Sequence, residues 1–306
     1  MSELAAARPP LAIVWLRSVR PFSFTASIVP VCLAAGCAAV AGEFWWVTFA
    51  LTLIGAVSLH CGTNLTNDYF DWKQGADHPE SLGPSPVIQQ RWLAPSTVLI
   101  AGLASFGVGC LAGFALTVLA GWRILAIGLV GVPLAYGYTA PPLRLAYRGL
   151  GELNVFLLMG PLMVVGSYLA MAPFGGLRLP ILLSIPVGLL VAAILHANNI
   201  RDLEDDRRLG KRTFATIVGL DWARREFDAL VLGAYAFLAV AAALGAVTAP
   251  TLVGLISVPL ALRARATIWS GADPGSLAPA VKQSAALHLV FGLTVTAGLV
   301  FNAVVR

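Results

Sequence analysis

The sequence predicts an all-α fold, a polytopic membrane helical bundle with about nine transmembrane helices, and three observations carry that prediction. Hydrophobic residues make up 58% of the 306 residues and charged residues only 11%, with a mean hydropathy of +0.82, a balance that soluble domains do not show. Apolar windows of about 20 residues, enough to cross a hydrocarbon core as a helix, recur along the chain. Basic residues gather in alternate connections between those windows.

In chain order, the first predicted span, near 22–42, follows Arg17 and Arg20 and contains the small-residue run AAGCAAVAG. That run resembles a signal-peptide cleavage region, but its length and the spans that follow at once favour a membrane helix. The second, 44–66, passes from its apolar core into NLTNDYFDWKQ with no Gly or Pro break from Leu65 to Gln74. The third covers 96–120; the fourth, 122–139, is short and ends before Pro141 and Pro142. The fifth, 152–173, precedes the sixth, 179–200, which runs into HANNIRDLEDDRRLGKRT. The seventh, 226–248, the eighth, 250–268, and the ninth, 283–304, complete the set. The short fourth span and Pro259 inside the eighth leave eight or ten as alternatives. Cys32, Cys37, Cys61 and Cys110 lie in apolar segments without metal-ligand spacing and read as small packing residues.

With nine spans, one side of the membrane receives all but Arg123, Arg178 and Arg306 of the 20 basic residues. The positive-inside rule makes that side cytoplasmic. All but Glu43 of the 15 acidic residues lie there too, so polar chemistry is concentrated on one face. Part of this is explained by longer loops that need charge for solubility.

Two helix ends on that face are acidic. Asn64, Asn67, Asp68 and Asp71 stand at i, i+3, i+4 and i+7, which gathers them on one stripe of a helix. Asn198, Asn199, Asp202 and Asp206 repeat the arrangement at the end of the sixth span, followed by Gly210, Lys211 and Arg212. Either end alone can be read as solvated acids with local arginine partners. Two such ends are harder to explain that way, because crowded carboxylates repel one another unless a cation intervenes. Mg²⁺ answers that requirement: it takes oxygen ligands, usually one or two carboxylates, and shares the rest of its shell with water and phosphate. Between the acidic ends lies YGYTAPPLRLAYRGLGE, residues 136–152, whose Tyr138, Arg144 and Arg148 suit diphosphate oxygens, or alternatively anchor the chain at the interface.

Together these segments resemble the UbiA superfamily of intramembrane prenyltransferases, and within it the MenA-type branch of 1,4-dihydroxy-2-naphthoate polyprenyltransferases. RPFSFTASIVPV at 20–31, NLTNDYFDWKQGADHPESLGPSPVIQ at 64–89, YTAPPLRLAYRGLGE at 138–152, HANNIRDLEDDRRLGKRTFA at 196–215 and LHLVFGL in the last span carry the resemblance, in block order and nearly end to end. It implies a single membrane domain over 1–306 with helices around a central cavity. Two Mg²⁺ ions would bridge the Asp-rich motifs to a polyprenyl diphosphate. Asn67, Asp68, Asp71, Asp77, Asp202 and Asp206 become the implied metal ligands. Asn64, Asn198 and Asn199 become supports, and Tyr138, Arg144, Arg148, Lys211 and Arg212 diphosphate clamps. Asp77 follows Asp71 by six residues rather than the four of ubiquinone-pathway members, and QQRWL at 89–93 replaces a Gly-containing segment of the branch.

The resemblance further implies an aromatic acceptor, 1,4-dihydroxy-2-naphthoate, prenylated with loss of CO₂ on the way to menaquinone, in a bacterial or archaeal plasma membrane with the site open to the cytoplasm. His60 and His196 flank the motifs and either orient the acceptor or are buried, hydrogen-bonded core residues, the commoner fate. Acceptors of the 4-hydroxybenzoate, homogentisate or porphyrin type remain the alternative. No Asp-Gly-x-x-Ala-Arg segment of a CDP-alcohol phosphotransferase is present. A divalent-cation transporter fits less well, since the acids sit beside arginines and lysines rather than at a midplane. The partners expected besides substrates are lipid headgroups, not nucleic acid.

Overall fold

The computed structural model describes residues 9–75 and 85–305; Asp77 lies outside them. Among the described residues all regular structure is helical, apart from an isolated bridge between Arg148 and Arg212. The chain opens with α1 (Leu11–Val19), a 3₁₀ turn at Pro21–Phe24, α2 (Thr25–Ala41), α3 (Trp46–Lys73), α4 (Pro95–Ala120) and α5 (Trp122–Tyr136). Helices α6 (Gly151–Leu157) and α7 (Met163–Met171) form one span joined by a π-helical turn, Leu158–Leu162. There follow α8 (Arg178–Arg201), the short α9 (Leu203–Arg208) and α10 (Phe214–Val218), and α11 (Leu220–Ala243). A 3₁₀ stretch at Ala249–Ser257 leads into α12 (Val258–Ser270), and α13 (Pro274–Val305) closes the chain. Eight of these units are long and apolar enough to cross a membrane, and the 15-residue α5 is the shorter ninth.

The predicted spans are recovered, with four differences that have local causes. Helix α1 extends the first span toward the N-terminus, in one apolar unit Leu11–Ala41; it tucks Val14 and Ser18 inward and ends at Arg20, whose left-handed backbone (φ 56°) turns the chain into the 3₁₀ segment. Helices α11 and α13 begin well before their apolar windows, because charged and polar residues such as Arg224 and Lys282 are tolerated on their headgroup-side turns. Pro259 does not break its span: it sits in the first turn of α12, where its missing N–H has no partner to lose. The sixth span is interrupted. Helix α8 stops at Arg201 and Asp202 forms the joint with α9, so the face expected to run straight from Asn198 to Asp206 is bent.

Small residues set the helix spacing. A Cβ on Gly160 would meet Gly188 Cα at 2.8 Å, so the π turn of the α6–α7 span lies directly against α8. A Cβ on Gly292 would overlap the Val29 side chain, which brings α13 equally close to α2. The largest buried cluster is drawn from α2, α7, α8, α11, α12 and α13. Large apolar side chains on the outside, Leu111, Val118, Leu129 and Val304 among them, form the lipid-facing surface. Exposed Trp46 and Trp122 cap one end of the bundle, while Trp222 and Trp269 lie under Arg225 and Arg224 at the other, the positions of interfacial belts.

Candidate active site

At the end of the bundle where α3 and α8 finish, the helices enclose a cavity of about 220 Å³. Its rim is polar and its wall largely apolar. Asn64, Asn67 and Asp71 reach it from α3, Asn198 and Asn199 from α8, and Asp202, Asp205 and Asp206 from the α8–α9 joint; Tyr138 and Lys211 come from the intervening loops. Val155, Leu158, Met159, Val191 and Ile194 line the wall.

The two acidic motifs therefore face one cavity, and each acid is held. Tyr147 donates to Asp71 Oδ1 at 2.7 Å, and Thr139 donates to Asn67 Oδ1 at 2.6 Å. Asn64 Nδ2 donates to the Val19 carbonyl at 2.9 Å and to Ser23. Asp68, one residue behind the rim, bonds to Arg20. Arg201 grips both oxygens of Asp202 at 2.6 Å, and Asn198 Nδ2 reaches the same carboxylate at 3.2 Å. Lys211 Nζ is 3.2 Å from Asp206 Oδ1 and stands over the Tyr147 ring.

Electrostatics at the rim are those of crowded acids in a poorly hydrated place. Burial, then the charges of Asp202 and Asp71, push the Asp206 carboxyl up to about 6 against the pull of Lys211. Burial opposes the Lys211 ammonium, but Asp206 and Asp71 more than compensate and hold it above the usual lysine value. Burial likewise raises the Tyr138 hydroxyl.

A hard cation fits this donor set. Asp206 Oδ2 is buried without a hydrogen-bond partner, and the rim offers carboxylate and amide oxygens. Among the described residues no three His, Cys, Asp or Glu side chains converge into a metal site by themselves. Mg²⁺ does not require such a cluster, since one or two carboxylates suffice when water and phosphate complete its shell.

The structure does not bring all of the expected residues inward. Asp68, Arg144, Arg148 and Arg212 are absent from the cavity lining; Asp68 is buried against Arg20, Arg148 donates instead to the Pro142 carbonyl, and its backbone pairs with Arg212. The loop turns at Arg144 (φ 47°), which sends the segment around the rim rather than into it. His60 is buried and bonded to Ser23 and Ser27. His196 is fully buried between Glu152 and the Ala223 carbonyl, at 3.0 and 2.8 Å, and Asn199 also donates to Glu152. His196 thus takes the core role, whereas His60, though hydrogen-bonded, also lines the cavity. Lining residues that sequence reasoning missed are Arg20, Ser23, Thr63, Thr139, Asn154 and Asp205; apart from Asp205, inside the second acidic run, they are polar residues with no repeating pattern to mark them.

Comparison with known proteins follows the same lines. The model of the UbiA prenyltransferase family matches residues 28–300. A relative named 1,4-dihydroxy-2-naphthoate octaprenyltransferase, from Bacillus subtilis, is 33% identical over 95% of this chain and 93% of its own. A UbiA homolog from Aeropyrum pernix superposes with a TM-score of 0.70 at 17% identity, covering 93% of this chain and 98% of that one. A UbiA homolog from Archaeoglobus fulgidus bound to GPP and Mg²⁺ gives 0.64 at 15% identity, with 93% and 99% covered. With its helical bundle, its polar-rimmed cavity and a family match over most of its length, this chain belongs to the UbiA prenyltransferase family, in the MenA-type branch, and is an aromatic prenyltransferase.

Proposed function

We propose that the protein transfers a polyprenyl group from an allylic diphosphate to 1,4-dihydroxy-2-naphthoate, with loss of CO₂, in the formation of menaquinone. The observation that carries this reading is the convergence of two Asn/Asp-bearing helix ends and Lys211 on the mouth of a cavity whose inner wall is largely apolar. The naphthoate acceptor is supported by the Bacillus subtilis relative, and Mg²⁺ by the Archaeoglobus fulgidus homolog.

Asn67, Asp68, Asp71, Asp202 and Asp206, with Asp77, are the residues that would hold two Mg²⁺ ions, whose charge would offset that of the departing diphosphate. Asn64, Asn198 and Asn199 brace these helix ends. Lys211 and Tyr138 face the diphosphate directly, and Arg144, Arg148 and Arg212 add positive charge from outside the cavity. Preorganised charge of this kind acts most strongly where water is excluded. Val155, Leu158, Met159 and Ile194 exclude it, protecting the allylic cation from hydrolysis. The electron-rich ring attacks the allylic carbon through the carbon that bears its carboxylate. As that carboxylate leaves as CO₂, its bonding pair returns to the ring and restores aromaticity. We read the chain as one membrane domain with this cavity opening to the cytoplasm.

The test is turnover by the purified protein in lipid vesicles with a polyprenyl diphosphate, Mg²⁺ and 1,4-dihydroxy-2-naphthoate, read by mass spectrometry. A decarboxylated prenyl-naphthoquinol is expected from wild type, and none with EDTA or from Asp71→Ala and Asp206→Ala. Product only with a different phenol would refute the acceptor; no diphosphate consumption with any acceptor would refute the activity.

A further inference from the structure

Below the acidic rim, the cavity wall carries a hydrogen-bond donor with nothing to bond. Asn154 on α6 lines the cavity and is only 6% exposed, yet its Nδ2 has no hydrogen-bond partner. Buried amide groups are paired in nearly all folded proteins, so an orphan facing a cavity points to a ligand. Three other amide NH₂ groups of the cavity are engaged: Asn64 with Val19, Asn198 with Asp202, and Asn199 with Glu152.

Depth decides which ligand. Glu152 meets His196 and Asn199, and Gly160 meets Gly188, so α6 and α8 run antiparallel and Asn154 lies level with Ile194. Ile194 is eight residues before Asp202; at about 1.5 Å per helical residue, Asn154 sits about 12 Å inward of that acid. A diphosphate held by Asp71, Asp202, Asp206 and Lys211 is centred outward of that level, and its prenyl tail offers no hydrogen-bond acceptor. The lining at this level includes the apolar Val155, Leu158 and Ile194, with the Tyr138 hydroxyl one turn nearer the rim, 3.6 Å from a Cβ placed on Gly151. Of the two substrates only the aromatic acceptor brings oxygen atoms beneath the diphosphate.

We infer that Asn154 Nδ2 donates a hydrogen bond to an oxygen substituent of the aromatic acceptor and so determines acceptor specificity. This rests on the prenyl transfer proposed above. It assigns the acceptor side of the cavity to the α6 wall, away from both acidic motifs.

Steady-state kinetics in lipid vesicles at saturating Mg²⁺ would test it, varying 1,4-dihydroxy-2-naphthoate and the polyprenyl diphosphate in turn. Asn154→Leu removes the donor, and the isosteric Asn154→Asp replaces it with a carboxyl that, when ionised, only accepts. The acceptor KM is expected to rise about tenfold in each, the usual cost of one lost buried hydrogen bond, with the KM for the diphosphate unchanged within about twofold. An unchanged acceptor KM, or an equal rise in both constants, overturns the inference. If Asn154→Leu fails to fold, Asn154→Asp decides, since it keeps the side-chain volume. If wild type uses another phenol in place of the naphthoate, the same comparison is made with that phenol. A wild type inactive with every aromatic acceptor refutes the prenyl transfer itself and removes this inference with it.

Discussion

Asp206 occupies a place that resists its charge. It is buried and faces Asp202 and Asp71, and these outweigh the balancing charge of Lys211, which is why its carboxyl is raised to about 6. A cation must find that group ionised. At pH 7 a carboxyl of this value is mostly charged and at pH 5 mostly neutral, so the Mg²⁺ concentration for half-maximal turnover is expected to rise about tenfold between them. The metal-free protein should respond in the opposite sense. Because the folded-state value exceeds the ordinary 3.8, folding binds this proton more tightly; the group's contribution to stability is least favourable above about pH 6 and improves as the pH falls toward 4. Thermal unfolding of wild type and Asp206→Asn in EDTA across that range measures it; the variant should lose this component of the pH dependence. The acids themselves were legible in the sequence because helical spacing put four polar residues on one stripe. Arg20, Thr139 and Asn154 were not, since a solitary polar residue has no period and only the fold shows what it faces.

At the scale of elements, the contact between the α6–α7 span and α8 fixes the cavity's width. Gly160 and Gly188 meet backbone to backbone, so an added methyl at Gly160 meets Gly188 Cα and the Ser184 carbonyl, neither of which can swing aside. Gly160→Ala should therefore destabilise the protein by about 1–3 kcal/mol. It should also depress turnover, because it moves Asn154 and Val155 away from Val191 and Ile194. Gly107 is the control: it lies in α4 with nothing within 4 Å of an added Cβ, and Gly107→Ala should be neutral or stabilising by up to about 1 kcal/mol from backbone entropy alone. Thermal unfolding in one detergent, alongside turnover, separates the two outcomes. The span count was legible because apolar length is a property of a single helix. The break at Asp202 and the π turn were not, because they depend on what a helix packs against.

For the whole molecule, the charge distribution predicts one orientation, with the proposed cavity mouth on the cytoplasmic face. In the nine-span reading all but three of the basic residues fall on the side of that mouth, while Arg123 and Arg178 lie at the start of α5 and α8, at the other end. Reversing the protein would move the arginine-rich end outward, against the bias that sets membrane topology. It would also open the diphosphate site away from the compartment where a charged, membrane-impermeant head group is made. The rim acids depend on the same polarity, since they are tolerated only where α3 and α8 leave the hydrocarbon. Impermeant thiol reagents on intact cells expressing single-cysteine additions test this directly, with labelling of the wild-type cysteines subtracted. Glu43→Cys, in the exposed turn after α2, is expected to label from outside; Arg208→Cys, exposed beside the second acidic motif, should label only after the cells are opened. The reverse pattern would place the cavity mouth outside and overturn the cytoplasmic assignment, while labelling of both from outside would require one fewer or one more crossing between them. Such a change would scatter the arginines across both faces, so the charge asymmetry and the labelling stand or fall together.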